Sequence, residues 1–375
     1  MCSDKFVLSM SLCLLLTGCC TQDYHPCENL RASGFDFSPD GTRIAIEYGD
    51  ALCIVRSDTL QLVNELDQNE SNSLLLSHAW APDGASILVL QNTPEKGAGG
   101  ASTERYNFSI LSTPPIPSSA SSFAPPLRHL SSLSLSGDGS KFAYVFITPA
   151  LSFEAEATRT VRVVSLRDNK TILETSSQRD TLVSYSPKSR YLVKETTDYF
   201  GTKEFTFLSL PGYETAANIT DMQVTGLTWS RDGTMAVALN STFMSPSNIL
   251  IMYSFNEENT SFMPLYWYEI NVTSLTGYDG HAIEFSFSPD NRYIAISGIY
   301  LVSACPSDPT GPCSKGFVAV IDLKSKKFVF HDVGGELTRD NWVYFDWAPD
   351  GRLAYLFSGE SFKKLRFVSP SDFSG

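Results

Sequence analysis

A phrase that forces the chain to reverse occurs seven times between residues 35 and 351, and it constrains the fold more than any other feature. Its clearest copy is Phe35-Asp36-Phe37-Ser38-Pro39-Asp40-Gly41, followed at once by Arg43-Ile44-Ala45-Ile46. Pro39 presets the first corner of a turn, Asp40 tolerates the second, and Gly41 accepts the left-handed backbone that completes the reversal. The phrase returns at Trp80-Ala81-Pro82-Asp83-Gly84, Leu135-Ser136-Gly137-Asp138-Gly139, Tyr185-Ser186-Pro187, Trp229-Ser230-Arg231-Asp232-Gly233, Phe287-Ser288-Pro289-Asp290 and Trp347-Ala348-Pro349-Asp350-Gly351. Two residues before each first corner stands an aromatic side chain, Leu135 excepted, which predicts one recurrent packing site.

Around each turn the apolar residues alternate with a period of two, the signature of strands and not of helices. A third apolar stretch follows each hairpin, among them Leu52-Cys53-Ile54-Val55, Val161-Arg162-Val163-Val164 and Phe317-Val318-Ala319-Val320-Ile321. A fourth follows in several copies, such as Leu60-Gln61-Leu62-Val63. Four antiparallel strands per unit, repeated every 45 to 60 residues or so, predict an all-β, seven-bladed β-propeller. Such blades cannot bury their faces alone, so residues 34–375 are expected to form one domain.

These repeats resemble the propeller repeats of the TolB type and, more loosely, WD repeats, in which an innermost strand ends in a Ser-Pro-Asp-Gly turn. The Trp-Asp pair that closes the third strand of WD repeats is missing, which makes the TolB-type likeness the better one. Among the departures from the pattern, Gly137 replaces the proline in the third copy, and the fourth reads Pro187-Lys188-Ser189 without Asp-Gly. The resemblance implies a fold and little about activity, because such repeats serve accessory proteins, enzyme side domains and scaffolds alike.

Residues 1–18 read as a signal peptide: Lys5 precedes an apolar run, 6–16, too short to span a bilayer. The run ends in Leu16-Thr17-Gly18-Cys19, which resembles a bacterial lipobox. That likeness implies acylation of Cys19 and a lipid anchor in the outer membrane or cell envelope, facing the periplasm or exterior. Residues 19–33 would form the tether and a ring-closing segment. Because only one strand, near Leu365, follows the last hairpin, residues 22–33 are expected to supply the outermost strand of the last blade and so cover its edge. Asn69, Asn107, Asn169, Asn218, Asn240, Asn259 and Asn271 each begin an Asn-x-Ser/Thr sequon, which leaves open a eukaryotic secreted glycoprotein.

An exported compartment permits disulfides. Cys305 and Cys313 bracket a loop rich in Pro and Gly that a bridge would clamp, and Cys27 with Cys53 remains as a second pair. No Cys-x-x-Cys or paired histidine points to a metal, and no metal or cofactor is expected. The net charge of -13, with 28 Lys and Arg residues, disfavours nucleic acid and anionic lipid as partners.

The sequence offers no Gly-x-Ser-x-Gly elbow, no His-Glu-x-x-His and no phosphate loop. His129 and His281 both stand eight residues before a first corner and are the channel candidates, with Asp279 near His281 as a general base or ligand. The expectation is a non-catalytic, monomeric, lipid-anchored scaffold that binds an envelope protein or another extracytoplasmic ligand. The alternative is a propeller lyase or hydrolase acting at the central channel. Long connections between second and third strands, at 93–104, 148–159, 240–248 and 298–316, would raise the binding rim.

Overall fold

The computed structural model describes residues 32–48, 51–66, 74–96, 102–112, 121–122, 129–148, 157–198, 202–222, 226–241, 248–256, 261–302, 313–334, 343–357, 360 and 364–373. These residues form seven antiparallel sheets that follow one another along the chain. The blades occupy residues 34–66, 74–122, 129–177, 180–222, 226–270, 280–334 and 343–368. Six have four strands in simple sequence order, and the seventh has three among the described residues. The fold is a seven-bladed β-propeller.

Burial explains the strand order. In blade one, β1 (Gly34–Phe37) alternates, with Phe35 and Phe37 turned inward. The next strand, β2 (Arg43–Tyr48), buries Ile44, Ala45 and Ile46 in succession, because both faces of a middle strand meet a neighbouring blade. The outer strand β4 (Leu62–Leu66) has no fully buried residue. First strands line the axis, as their bonds across blade boundaries show. Val183 and Tyr185 donate backbone N–H groups to Ser132 and Ser134 of blade three, each at 3.0 Å. At the equivalent boundary between blades seven and one, Phe37 donates its N–H to Asp346 at 2.8 Å. A short polar side chain on one blade thus satisfies an edge N–H of the next.

The repeated turn is tied by a buried serine. Ser38 is fully buried; its Oγ donates to Asp40 at 2.6 Å and accepts the Arg43 N–H at 3.0 Å. Asp40 in turn accepts the Thr42 N–H at 3.1 Å. The same set recurs at Ser136, Ser230 and Ser288. Asp138 shows its electrostatic result: the Ser136 hydroxyl, then the Ser140 N–H and hydroxyl, hold the carboxyl down at about 2. Gly41 has φ +72°, as the turn demands.

Adjacent turns also interlock. A Cβ on Gly41 would come within 2.9 Å of Pro349 in blade seven, and one on Gly139 within 3.3 Å of Pro82 in blade two. Where the proline is missing, the next glycine is missing too. Gly137 then donates its N–H to Ser189 Oγ, and Arg231 donates its N–H to Asn291 Oδ1 at 3.2 Å. Ser189 and Asn291 take the left-handed position at φ +50° and +58°. The departures of copies three and four are therefore one feature, a hydrogen bond in place of a proline-glycine contact.

The ring closes by packing of blade one on blade seven. Phe37 meets Phe367 edge-on at 6.4 Å, and one core cluster joins Phe35, Ile46 and Val55 to Ala348, Ala354 and Leu356. Of the segment expected to close the last sheet, Ala32 and Ser33 are described. Ala32 is buried in that same cluster, and Ser33 donates to the Glu47 carbonyl at 2.9 Å, extending the pairing of β1. Residues 22–31 lie outside the described residues.

Two connections differ from expectation. Strands β6 (Ser86–Lys96) and β7 (Ser102–Ser112) stay paired as far as Lys96 opposite Ser102, and β22 (Tyr293–Val302) and β23 (Cys313–Asp322) as far as Val302 opposite Cys313. Gly298 reads as a loop start but lies within β22. A Cβ there would fall 2.1 Å from the His281 carbonyl and 2.6 Å from the Phe317 ring, so only glycine fits. Blade two takes its short fourth strand, β8 (Ser121–Ser122), from a stretch of sequence rich in proline and serine.

Candidate functional site

Because the first strands end in the repeated turns, four of those turns enclose one end of the axis. The result is a cup of about 310 Å³ lined by residues of blades one, five, six and seven. Its aromatic wall is Phe37, Trp229, Phe287 and Trp347, the residues two positions before each first corner. Its lip is the first-corner position itself: Pro39, Pro289, Pro349 and, in blade five, Arg231. Three corners are apolar rings and the fourth is a guanidinium. Arg231 is exposed, and its backbone N–H is fixed by Asn291. The Trp347 indole donates its N–H to the Ser286 carbonyl at 3.2 Å, which sets the ring plane in the wall.

Asp346 also lines the cup, next to Trp347. Its Oδ2 accepts the Phe37 N–H and its Oδ1 the Trp347 N–H, both at 2.8 Å. The carboxyl keeps some surface toward the cup yet sits deep in protein. Burial, opposed by the two N–H groups and aided by the charge of Asp36, pushes it up to about 7.

A second polar node stands on the boundary of blades one and two. His78, on β5 (Leu74–Trp80), has a side chain only 7 % exposed. Its Nε2 bonds Asp36 of β1 and its Nδ1 bonds Glu47 of β2, the latter at 2.8 Å. Burial disfavours the imidazolium, but the two carboxylates outweigh it and raise the group to about 10. Neither ring nitrogen is left over. Sequence reading missed this node because Asp36 and Glu47 lie 42 and 31 residues from His78.

A smaller cavity of about 230 Å³ lies where blades three, four and five meet, lined by Leu182, Val193, Phe205, Leu227 and Trp229. Glu195 reaches it and is paired with Lys203; both side chains are 14 % exposed.

The histidines singled out from spacing lie apart. His129 is on β9 (His129–Leu135), opposite Ile147 in blade three, and its side chain lies outside the described residues. His281 is on β21 (Gly280–Phe287) in blade six, half-buried. Asp279 is exposed beside it and accepts the Thr273 hydroxyl at 3.0 Å, bracing a five-residue helix, Val272–Thr276. Blades three and six are not neighbours in the ring. Among the described residues no group of three or more His, Cys, Asp or Glu side chains could hold a metal ion.

Cys53 and Cys313 are both disulfide-bonded. Cys27 and Cys305, with which the sequence pairs them, lie outside the described residues, as does Cys19. No helix among the described residues is long and apolar enough to cross a membrane.

No protein-family model matches the chain, and no curated protein matches it. Among solved structures it is similar to a chain described as Kuenenia stuttgartiensis hydrazine synthase, with a TM-score of 0.57 and 13 % sequence identity. The similarity covers 93 % of this chain and 99 % of that one. At this identity the likeness shows the propeller fold alone.

Proposed function

We propose that the protein is a non-catalytic, monomeric propeller of the TolB type, exported and held at the cell envelope by lipid on Cys19, that binds a partner or ligand. The observation that carries this reading is the turn-end cup. It is lined by aromatic residues, proline rings and an exposed arginine whose guanidinium makes no ion pair with a described residue, while Asp346 and the His78 node are engaged in joining blades. A propeller lyase or hydrolase needs a proton carrier with a free atom. His78 has both ring nitrogens bonded to carboxylates, and Asp346, the ionisable group open to the cup, spends one lone pair of each oxygen on a backbone N–H. The disulfide-bonded Cys53 and Cys313 suit an oxidising compartment.

The test uses the full chain expressed with its leader and purified from detergent-solubilised envelope. Components captured by the wild type but not by Arg231→Glu, and recovered chemically unchanged by mass spectrometry, are the expected result. Recovery of a cleaved or eliminated product overturns the non-catalytic reading. Cys19→Ala is expected to release the protein from the membrane fraction; a variant that stays in that fraction overturns the lipid anchor.

A further inference from the structure

We infer that the outermost strand of blade five is a membrane-docking face, which lays the side of the propeller against a bilayer bearing anionic headgroups.

The strand is β20 (Ser261–Ile270), the last of its sheet, and no described strand pairs with its outer edge. It exposes Met263, Leu265 and Trp267, the last at 68 %. The outer strands β4, β12 (Thr171–Ser177) and β24 (Lys327–Gly334) each expose one large apolar residue, Val63, Ile172 and Val333. Single apolar residues at a surface are ordinary, whereas three on one strand form a patch that calls for a cover.

The strand itself selects the kind of cover. Pro264 has no N–H to offer along the edge. Pro264 lies opposite Tyr253 and Tyr266 opposite Met252 of the adjacent β19 (Asn248–Asn256), so Leu265 is an extra residue, a bulge. A proline and a bulge in mid-strand spoil the edge for an added strand, whether from a second copy or from another protein. The contact is therefore made by side chains.

The neighbours of these side chains are basic. The turn between β23 and β24 exposes Lys324, Lys326 and Lys327, and none of the three makes an ion pair with a described residue. Lys326 Nζ lies 4.7 Å from the centre of the Tyr266 ring, which places the lysine turn beside the apolar strand. The chain as a whole carries -13 and repels an anionic surface. Yet charge acts over only about 8 Å at physiological salt, so near neighbours set the local field. Two carboxylates adjoin these elements. Asp322 is paired with Arg292 at 3.2 Å, and Glu269 stands at the opposite end of β20 from Ser261. Tryptophan and tyrosine settle where acyl chains meet headgroups, and lysines beside them reach the lipid phosphates. The outer strand lies on the circumference of the propeller, so such a contact leaves the turn-end cup open.

The test mixes the purified full-length protein with vesicles whose acyl chains are brominated, so that a tryptophan touching them loses its fluorescence. One set is phosphatidylcholine alone and the other contains phosphatidylglycerol as well. The expected result is quenching that is stronger with phosphatidylglycerol and is lost in Trp267→Phe, a variant whose thermal midpoint should not change. Combining Lys324→Gln, Lys326→Gln and Lys327→Gln should lower the quenching about twofold or more, as should raising the salt to about 0.5 M. Quenching that persists in Trp267→Phe, or that ignores phosphatidylglycerol and the lysines, overturns the docking face. So does its absence from the wild type; a sedimenting mass that halves on Trp267→Ser would then assign the strand to a second copy. Every form carries the same Cys19, so its lipid does not enter the comparison, and the membrane fractionation of Cys19→Ala decides the anchor separately.

Discussion

Asp346 is the residue whose chemistry departs furthest from its neighbours' in the repeat. At the equivalent place in blade three, Ser134 accepts the N–H of the next blade without any charge, whereas Asp346 does so with an ionisable group raised to about 7. Between its usual value near 3.8 and about 7, the folded protein holds a proton that the unfolded chain has released. Folding therefore loses stability as pH rises across that window. Asn at this position keeps a carbonyl oxygen for the Phe37 N–H and carries no charge. Asp346→Asn is predicted to match the wild type near pH 4.5 and to exceed it by about 1–3 kcal/mol at pH 8. Urea unfolding at both pH values decides this; equal wild-type and variant stabilities at pH 8 would show that the carboxyl is not strained by burial.

At the scale of the element, the turn is where sequence was most and least informative. Pro39, Asp40 and Gly41 announce a reversal by local backbone preference alone, and Ile44-Ala45-Ile46 announce a buried strand, so the blades and their number are legible without any structure. Ser38 carries as much of the turn as they do, yet serine is common and its buried bond to the Arg43 N–H shows only in coordinates. Gly137 and Ser189 looked like two defects because they are 52 residues apart; the structure makes them one hydrogen bond. The candidate site failed to show for the same reason. Spacing from a turn tells how far along a strand His281 lies, not what it meets, and His78 belongs to no motif. The coupling of neighbouring turns makes a prediction. Gly137→Pro removes the bonded N–H and crowds Ser189, and is predicted to cost about 1–3 kcal/mol. Adding Ser189→Gly recreates the pairing of Pro82 with Gly139 and also relieves a left-handed serine. The double variant is predicted to recover most of the loss, with a coupling energy of about 1 kcal/mol or more in a double-mutant cycle. Additive effects would show that adjacent turns do not sense each other.

For the whole molecule, the ring stays closed only if every blade boundary holds, and the boundaries of blade one depend on protons. On one side Asp346 receives the Phe37 N–H; on the other His78 bridges Asp36 and Glu47. The histidine is raised from 6.5 to about 10 in the folded protein. Its contribution is complete below pH 6.5 and disappears as pH climbs through 10. Asp346 acts in the same direction at lower pH, while turn carboxylates such as Asp138, held at about 2, lose their contribution only below the ordinary carboxylate range. The wild type is therefore predicted to have its highest thermal midpoint between about pH 4 and 6.5 and to decline steadily toward pH 10. His78→Gln leaves the Asp36 and Glu47 carboxylates of blade one at the boundary without a cation, and should cost about 3–5 kcal/mol at pH 6. The decisive reading is the shape of the curve: the variant's midpoint should change little between pH 7 and 10, where the wild type's falls. If both curves fall in parallel, the alkaline decline belongs to other groups and the His78 bridge does not hold blades one and two together.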